Sequence, residues 1–300
     1  MTDDLSKTVI CFGEILWDSL PRGMFPGGAP INVAYHLKHL GMHPIPVTAV
    51  GCDQLGEELL QRLQSWGIDT STVTRHPSRP TGLARVTMVG GSPAFEIVEN
   101  VAWDCIDVPP AVLKLAPHCG AVVYGTLAQR SEHNYDQLGA LLSLCPNALK
   151  VFDVNLRAPY DSADRVWALA RHATLIKLND QELGRLMNEL LPLAELGDAV
   201  RRFARRSGVE RVCLTAGAAG AGLLMDGTWH WEPARPVLVR DSVGAGDAFL
   251  AALLFGLLQR ADAPAEVLRK ACRLAEFVVT QDGAAPAYRV NDQGIALAAS

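Results

Sequence analysis

The run Asp241-Ser242-Val243-Gly244-Ala245-Gly246-Asp247 opens directly into an almost wholly apolar stretch, Ala248 to Leu258. A tight turn must therefore feed a buried helix. The N–H groups at such a helix start lack intrahelical partners, carry partial positive charge and can hold an anion. Glycine lets the backbone approach a group as bulky as phosphate. Asp247 sits in the middle of this anion site, where a carboxylate repels the ligand unless it has a task there. Taking a proton from a hydroxyl that attacks a bound phosphate is one such task. Capping the helix is another, and the turn alone leaves both readings open.

A second glycine turn lies near the N-terminus, Gly27-Gly28-Ala29-Pro30-Ile31-Asn32-Val33-Ala34. Together with residues 241–249 it resembles the two signature regions of the ribokinase-like (pfkB) carbohydrate kinases. The resemblance runs from about Val9 to Ala287. It implies a three-layer α/β/α fold with a mostly parallel central sheet and a small β-strand lid, ATP and Mg2+ as cofactors, and Asp247 as base. The backbone of Gly244, Ala245, Gly246 and Asp247 becomes the anion hole.

Composition agrees with such an enzyme. The chain has 300 residues, 49% of them hydrophobic, enough for a sizeable core. The net charge of -5 comes with no basic cluster beyond Arg201-Arg202 and Arg205-Arg206, which read as a solvated helix face, so no nucleic-acid partner is expected. The longest apolar run is too short to span a bilayer, and residues 1–7 carry no signal core. Seven cysteines are scattered without metal or redox spacing, as in a reduced, cytoplasmic chain. His36, His39 and His43 straddle Gly41 and read as surface histidines rather than a zinc site.

Strand and helix patterns alternate. Strands are expected at 8–12, 44–50, 121–124, 150–153, 175–178 and 211–215, with helices at 31–40, 54–66, 134–144, 162–172, 180–187, 196–207, 245–260 and 265–278. Residues 214–231 read as strand-turn-strand. Residues 83–89 and 95–98 form a hairpin signal around Gly90-Gly91-Ser92-Pro93. This describes one α/β domain over 1–300, with a lid built from roughly 14–26 and 82–99. Ligands in such sheets bind beyond the carboxyl ends of the strands, where the glycine turns fall. No P-loop, dinucleotide fingerprint or nucleophile elbow occurs.

Within the resemblance, Asp18 and Asn32, with Gly28, bind sugar hydroxyls; by residue type alone they are a turn residue and a helix cap. Phe95 or Trp103 covers the ring face, and Arg157 holds phosphate or a charged substrate. Asn179 and Glu182 match the family's Asn-x-x-Glu motif, which organises Mg2+ through water. Thr215, Gly217 and Gly220, with Asn179 and Gly246, meet the nucleotide. Asp241, Val243 and Gly283 match a potassium site seen in many members, although Ala287 stands where some carry a hydroxyl. The segments 13–18, 27–32, 102–104 and 125–130 look most like bacterial fructokinases. The expected reaction is phosphorylation of D-fructose to D-fructose 6-phosphate. The alternative is a kinase for 2-keto-3-deoxygluconate, ribose or a nucleoside on the same fold; for the sugar acid, Arg157 or Arg130 would bind the carboxylate. Lid strands leave an exposed edge, so a homodimer through the lids is expected.

Overall fold

Successive residues of the first strand face opposite ways: Val9 and Cys11 join one apolar cluster, Ile10 and Phe12 another, and all four are fully buried. A strand apolar on both faces needs a layer of helices on each side. The structure, a computed structural model, describes residues 5–20, 23–89, 92–259, 262–290 and 296–298.

In chain order, β1 (Thr8–Phe12) leads to β2 (Leu16–Leu20), β3 (Gly23–Gly27), α1 (Ala29–His39), β4 (His43–Val47), β5 (Ala49–Gly51), α2 (Gln54–Ser65) and β6 (Thr74–His76). The pair β7 (Gly82–Val89) and β8 (Ser92–Ile97) follows, then α3 (Pro110–Leu115). Alternation begins with β9 (Ala121–Gly125), α4 (Glu132–Ser143), β10 (Leu149–Asp153), α5 (Ala163–Ala170), β11 (Leu175–Asn179), α6 (Asp180–Met187) and α7 (Leu196–Ser207). It ends with β12 (Val212–Thr215), β13 (Gly220–Met225), β14 (Thr228–Pro233), α8 (Ala245–Gln259), α9 (Pro264–Val278), β15 (Tyr288–Val290) and β16 (Ala296–Ala298).

The central sheet has the order β14-β13-β12-β11-β10-β9-β1-β4. Its strands run parallel from β4 to β12, and β13 and β14 are antiparallel. One face packs against α1, α2, α8 and α9 through Tyr35, Leu59, Leu253 and Val267. The other meets α4 to α7 through Leu138, Val166, Leu183 and Phe203. Helix α8 is buried almost all round, as its apolar sequence demands. A four-stranded lid sheet, β3-β2-β7-β8, stands apart from the central sheet. Both expected lid segments contribute strands; residues 21–22 and the Gly90-Gly91 turn lie outside the described residues.

Three expectations are corrected. The strand expected at 44–50 divides, because the Thr48 carbonyl accepts from Thr74 N–H and β5 pairs with β6 instead of the central sheet. The segment 214–231 holds two turns rather than one: β12 pairs antiparallel with β13 across Gly217–Ala219, and β13 with β14 across Asp226-Gly227, where φ is 51° and 75°. His36 is no surface histidine: it is fully buried, with Nδ1 at 2.9 Å from the Tyr288 hydroxyl and Nε2 at 2.9 Å from the Ala284 carbonyl.

Gly82 starts β7 at the lid root, where a Cβ would lie 2.3 Å from Trp103 Nε1 and 2.6 Å from the Ile15 carbonyl. Trp103 is fully buried and has no room to retreat. Gly82→Ala should therefore cost about 1–3 kcal/mol and lower Tm by several degrees, read by calorimetry. An unchanged Tm would show that the lid root yields freely.

Candidate active site

The centre forms where the parallel strands end and α8 begins. Asp247 lies in the first turn of α8 and is 8% exposed. Its Oδ2 accepts a 2.8 Å hydrogen bond from Asn32 Nδ2, so the two glycine turns, 215 residues apart, meet through one contact. Gly244 has φ of 77°, and a Cβ there would lie 2.4 Å from Ala284 Cβ. Only glycine turns the chain this sharply against that neighbour. At Gly246 a Cβ would come within 3.2 Å of Lys177 Nζ, so this ammonium lies against the anion-binding turn.

Lys177 and Asp153 are candidate site residues that sequence reasoning passed over. Asp153 ends β10 and Lys177 lies within β11, both buried, with Nζ 2.9 Å from Asp153 Oδ1. Burial works against the lysine's charge, but Asp153 and Asp247 more than offset this and hold the ammonium above its usual range. Asp247 is pushed up to about 6 by burial and by Asp153, while Lys177, the Asn32 hydrogen bond and Arg157 pull the other way. A signal was present in the chain: Asp153 opens the loop that carries Arg157, and Lys177 precedes Asn179 by two.

Asp18 sits in β2, and a Cβ at Gly27 would lie 2.3 Å from its Oδ2. Burial raises Asp18 to about 6, opposed by Arg157. Glu14, between β1 and β2, is 4% exposed and is raised by burial to about 7, opposed by the Ala29 N–H and by Arg157. Gly28 has φ of 111°, and a Cβ there would meet the Glu14 carbonyl at 2.3 Å. The exposed Arg157 at the rim thus counters Glu14, Asp18 and Asp247 together.

Asn179 and Glu182 form a reciprocal cap on α6. Asn179 Oδ1 accepts from Glu182 N–H, and Glu182 Oε2 accepts from Asn179 N–H, each at 2.8 Å. Glu182 Oε1 also accepts from Leu156 N–H at 2.8 Å, which ties the Arg157 loop to α6. Asp241 accepts from Val243 and Gly283 N–H, so the three residues of the expected potassium site do gather. Thr215 ends β12, and Gly217 has open space around it.

Other assigned residues fall elsewhere. Trp103 is fully buried beneath the Arg130 guanidinium, 4.0 Å from its ring centre, so packing claims the face expected to cover a sugar. Arg130 already pairs with Asp104 (2.7 and 2.9 Å) and the Val98 carbonyl, and its unpartnered Nη1 is buried. Gly220 is required by the hairpin: a Cβ would lie 2.2 Å from the Glu232 carbonyl, which is backbone of β14 rather than an open ligand face. The Phe95 side chain lies outside the described residues.

The chain matches the model of the pfkB family carbohydrate kinases over residues 22–290, and it belongs to that family. It is 28% identical to a fructokinase of Rhizobium leguminosarum bv. trifolii over 267 residues, 83% of this chain and 79% of that one. It is 28% identical to a Solanum tuberosum fructokinase over an alignment of 322 positions that covers 97% and 96% of the two chains. Its fold is similar to that of a Xylella fastidiosa fructokinase solved with bound ATP, with a TM-score of 0.79, 25% identity, and 93% and 94% coverage. The three-layer arrangement with its lid sheet is the ribokinase-like α/β fold, and the protein is a carbohydrate kinase of this family.

A carboxyl raised by burial is stabilised in the fold only while protonated. Its ionised form costs stability at neutral pH, and that cost appears as pH rises through the range between about 4 and 6. Asp247→Asn retains an acceptor for Asn32 without the charge. The variant should gain on the order of 1–3 kcal/mol and several degrees in Tm at pH 7. It should also lose roughly two to four powers of ten in turnover. Turnover within threefold of wild type would remove Asp247 from the chemistry. In the wild-type enzyme the acid limb of kcat/KM should fall near pH 6 rather than near 4. A flat profile down to pH 5 would show that the reacting base is a different group.

Proposed function

We propose that this chain is an ATP-dependent sugar kinase that transfers the terminal phosphoryl group to the primary hydroxyl of D-fructose, giving D-fructose 6-phosphate. The observation that carries the proposal is the Asn32–Asp247 contact, which joins a hydroxyl-reading turn to a carboxylate at an anion-binding helix start. Asp247 accepts the proton of the attacking hydroxyl, and Asn32 orients its carboxyl. The N–H groups at the start of α8 and the Lys177 ammonium face the charge that spreads over the transferred phosphoryl oxygens. Asp18, Asn32 and Gly28 form the sugar side. Thr215 and Gly217 border the nucleotide side, where ATP binding is supported by the ATP-bound structure of the Xylella relative.

Mg2+ supplies charge neutralisation between the phosphates when bound. Both Glu182 oxygens already hold backbone N–H groups, so Glu182 and Asn179 would hold the ion through water, near the unpartnered Asp153 Oδ2. A potassium ion at Asp241, with the Val243 carbonyl and Gly283, belongs to the same proposal. So does a homodimer through the outer strands β3 and β8 of the lid sheet. Among the described residues no helix is long and apolar enough to cross a membrane; a cytoplasmic location is proposed.

The acceptor is argued to be neutral on charge. Glu14, Asp18 and Asp247 share the influence of a single arginine, Arg157, and a sugar acid would add a fourth carboxylate to that set. Fructose, ribose, 2-keto-3-deoxygluconate and adenosine should be assayed side by side with ATP. Fructose is expected to give the highest kcat/KM, and a value well above it for any of the other three would overturn the assignment.

A further inference from the structure

Two oxygen atoms beside Asp247 are buried without a hydrogen-bond partner, Glu14 Oε2 and Asn32 Oδ1. Their residues are 4% and 6% exposed, and their other polar atoms are used: Glu14 Oε1 accepts from Ala29 N–H at 3.3 Å, and Asn32 Nδ2 donates to Asp247. Both abut the Gly28 turn. The Gly28 carbonyl accepts from Asn32 N–H at 3.0 Å, and the Glu14 backbone presses against Gly28. Buried acceptors left unpaired are costly and rare in folded proteins, and a pair of them beside a base and an anion hole marks where ligand donors belong.

We infer that Glu14 is a specificity-determining residue whose Oε2 binds a hydroxyl of the acceptor sugar next to the hydroxyl read by Asn32. This rests on the reading of the centre as a sugar kinase. The chemistry selects the partner. A carboxylate accepts a hydrogen bond when ionised and donates one when protonated, and a hydroxyl answers either form. A carboxylate or phosphate of the ligand would instead be repelled by ionised Glu14. Glu14 differs from Asp18, which reaches the cleft from the lid sheet. It reads the sugar from beneath the glycine turn, and its Oε1 bond to Ala29 ties that turn to the occupied site.

Glu14→Gln is the discriminating variant, because it retains the acceptor for Ala29 N–H and replaces the free oxygen by a donor. With the sugar that the wild-type enzyme phosphorylates, its sugar KM should rise tenfold or more, while the ATP KM stays within twofold. Monodeoxy analogues of that sugar then locate the contact. One deoxygenation that costs the wild type tenfold or more in kcat/KM should cost Glu14→Gln less than threefold, while the other deoxygenations cost both proteins alike. If Glu14→Gln does not fold, Glu14→Asp is read the same way, since the shortened carboxylate should raise the sugar KM selectively. An unchanged sugar KM in a folded variant, or equal losses for every analogue in both proteins, would overturn the role of Glu14 and leave the kinase reading intact. A wild-type enzyme that phosphorylates no sugar would overturn both.

Discussion

The hydrogen bond from Asn32 to Asp247 is the contact on which the centre depends. It crosses from α1 to α8, two helices on the same face of the sheet, and places the Gly27-Gly28 turn against the Gly244–Asp247 turn. Neither turn is complete alone. The first carries the Asn32 amide but no helix start suited to an anion, and the second carries such a start with a carboxylate in its midst. Their apposition seats the amide donor on that carboxylate.

Such a centre is held together at some cost. Glu14, Asp18 and Asp247 are all raised by burial, and Asp153 pushes Asp247 further. Lys177 balances this inside the protein and Arg157 does so from the rim. The buried Lys177–Asp153 pair is weak evidence for stability, since desolvating two charges offsets much of their attraction. Its value lies in location: the ammonium is fixed beside Gly246, at the anion-binding start of α8. The scaffold bears this strain because β1 and its neighbours bury apolar side chains on both faces.

The lid follows a different logic. Its strands β2 and β7 run parallel, so the chain must leave the central sheet after β1 and return to the lid only after α1 and α2. Arg130 grips the lid root from the core side, donating to the Val98 carbonyl while lying over Trp103. A residue that resembled a ring-covering aromatic is therefore part of the lid's foundation. Gly220 was misread for a related reason: glycine marks a close approach of backbone, but only the fold decides whether ligand or a neighbouring strand makes that approach.

Local rules made much of this legible from the chain itself. The strand at 8–12, the helices at 180–187 and 196–207 and the buried character of α8 follow from side-chain periodicity and turn residues, which act over a few neighbours. The resemblance of two glycine turns to a family pointed to Asp247, Asn32 and Asp18. What periodicity does not carry is contact between distant segments. Cys119 and Cys145 show it plainly, 26 residues apart in a chain read as free of thiol pairing yet with sulfurs at 3.9 Å. Lys177 beside Gly246, Glu14 beneath Gly28 and His36 sealed against Tyr288 are of the same kind. The sequence by itself determined which segments become strands, helices and glycine turns, because those choices are made by local sterics and apolar spacing. The tertiary structure alone decided which buried charges face one another and which polar atoms are left for a ligand, because burial and electrostatics depend on neighbours that only the folded chain brings together.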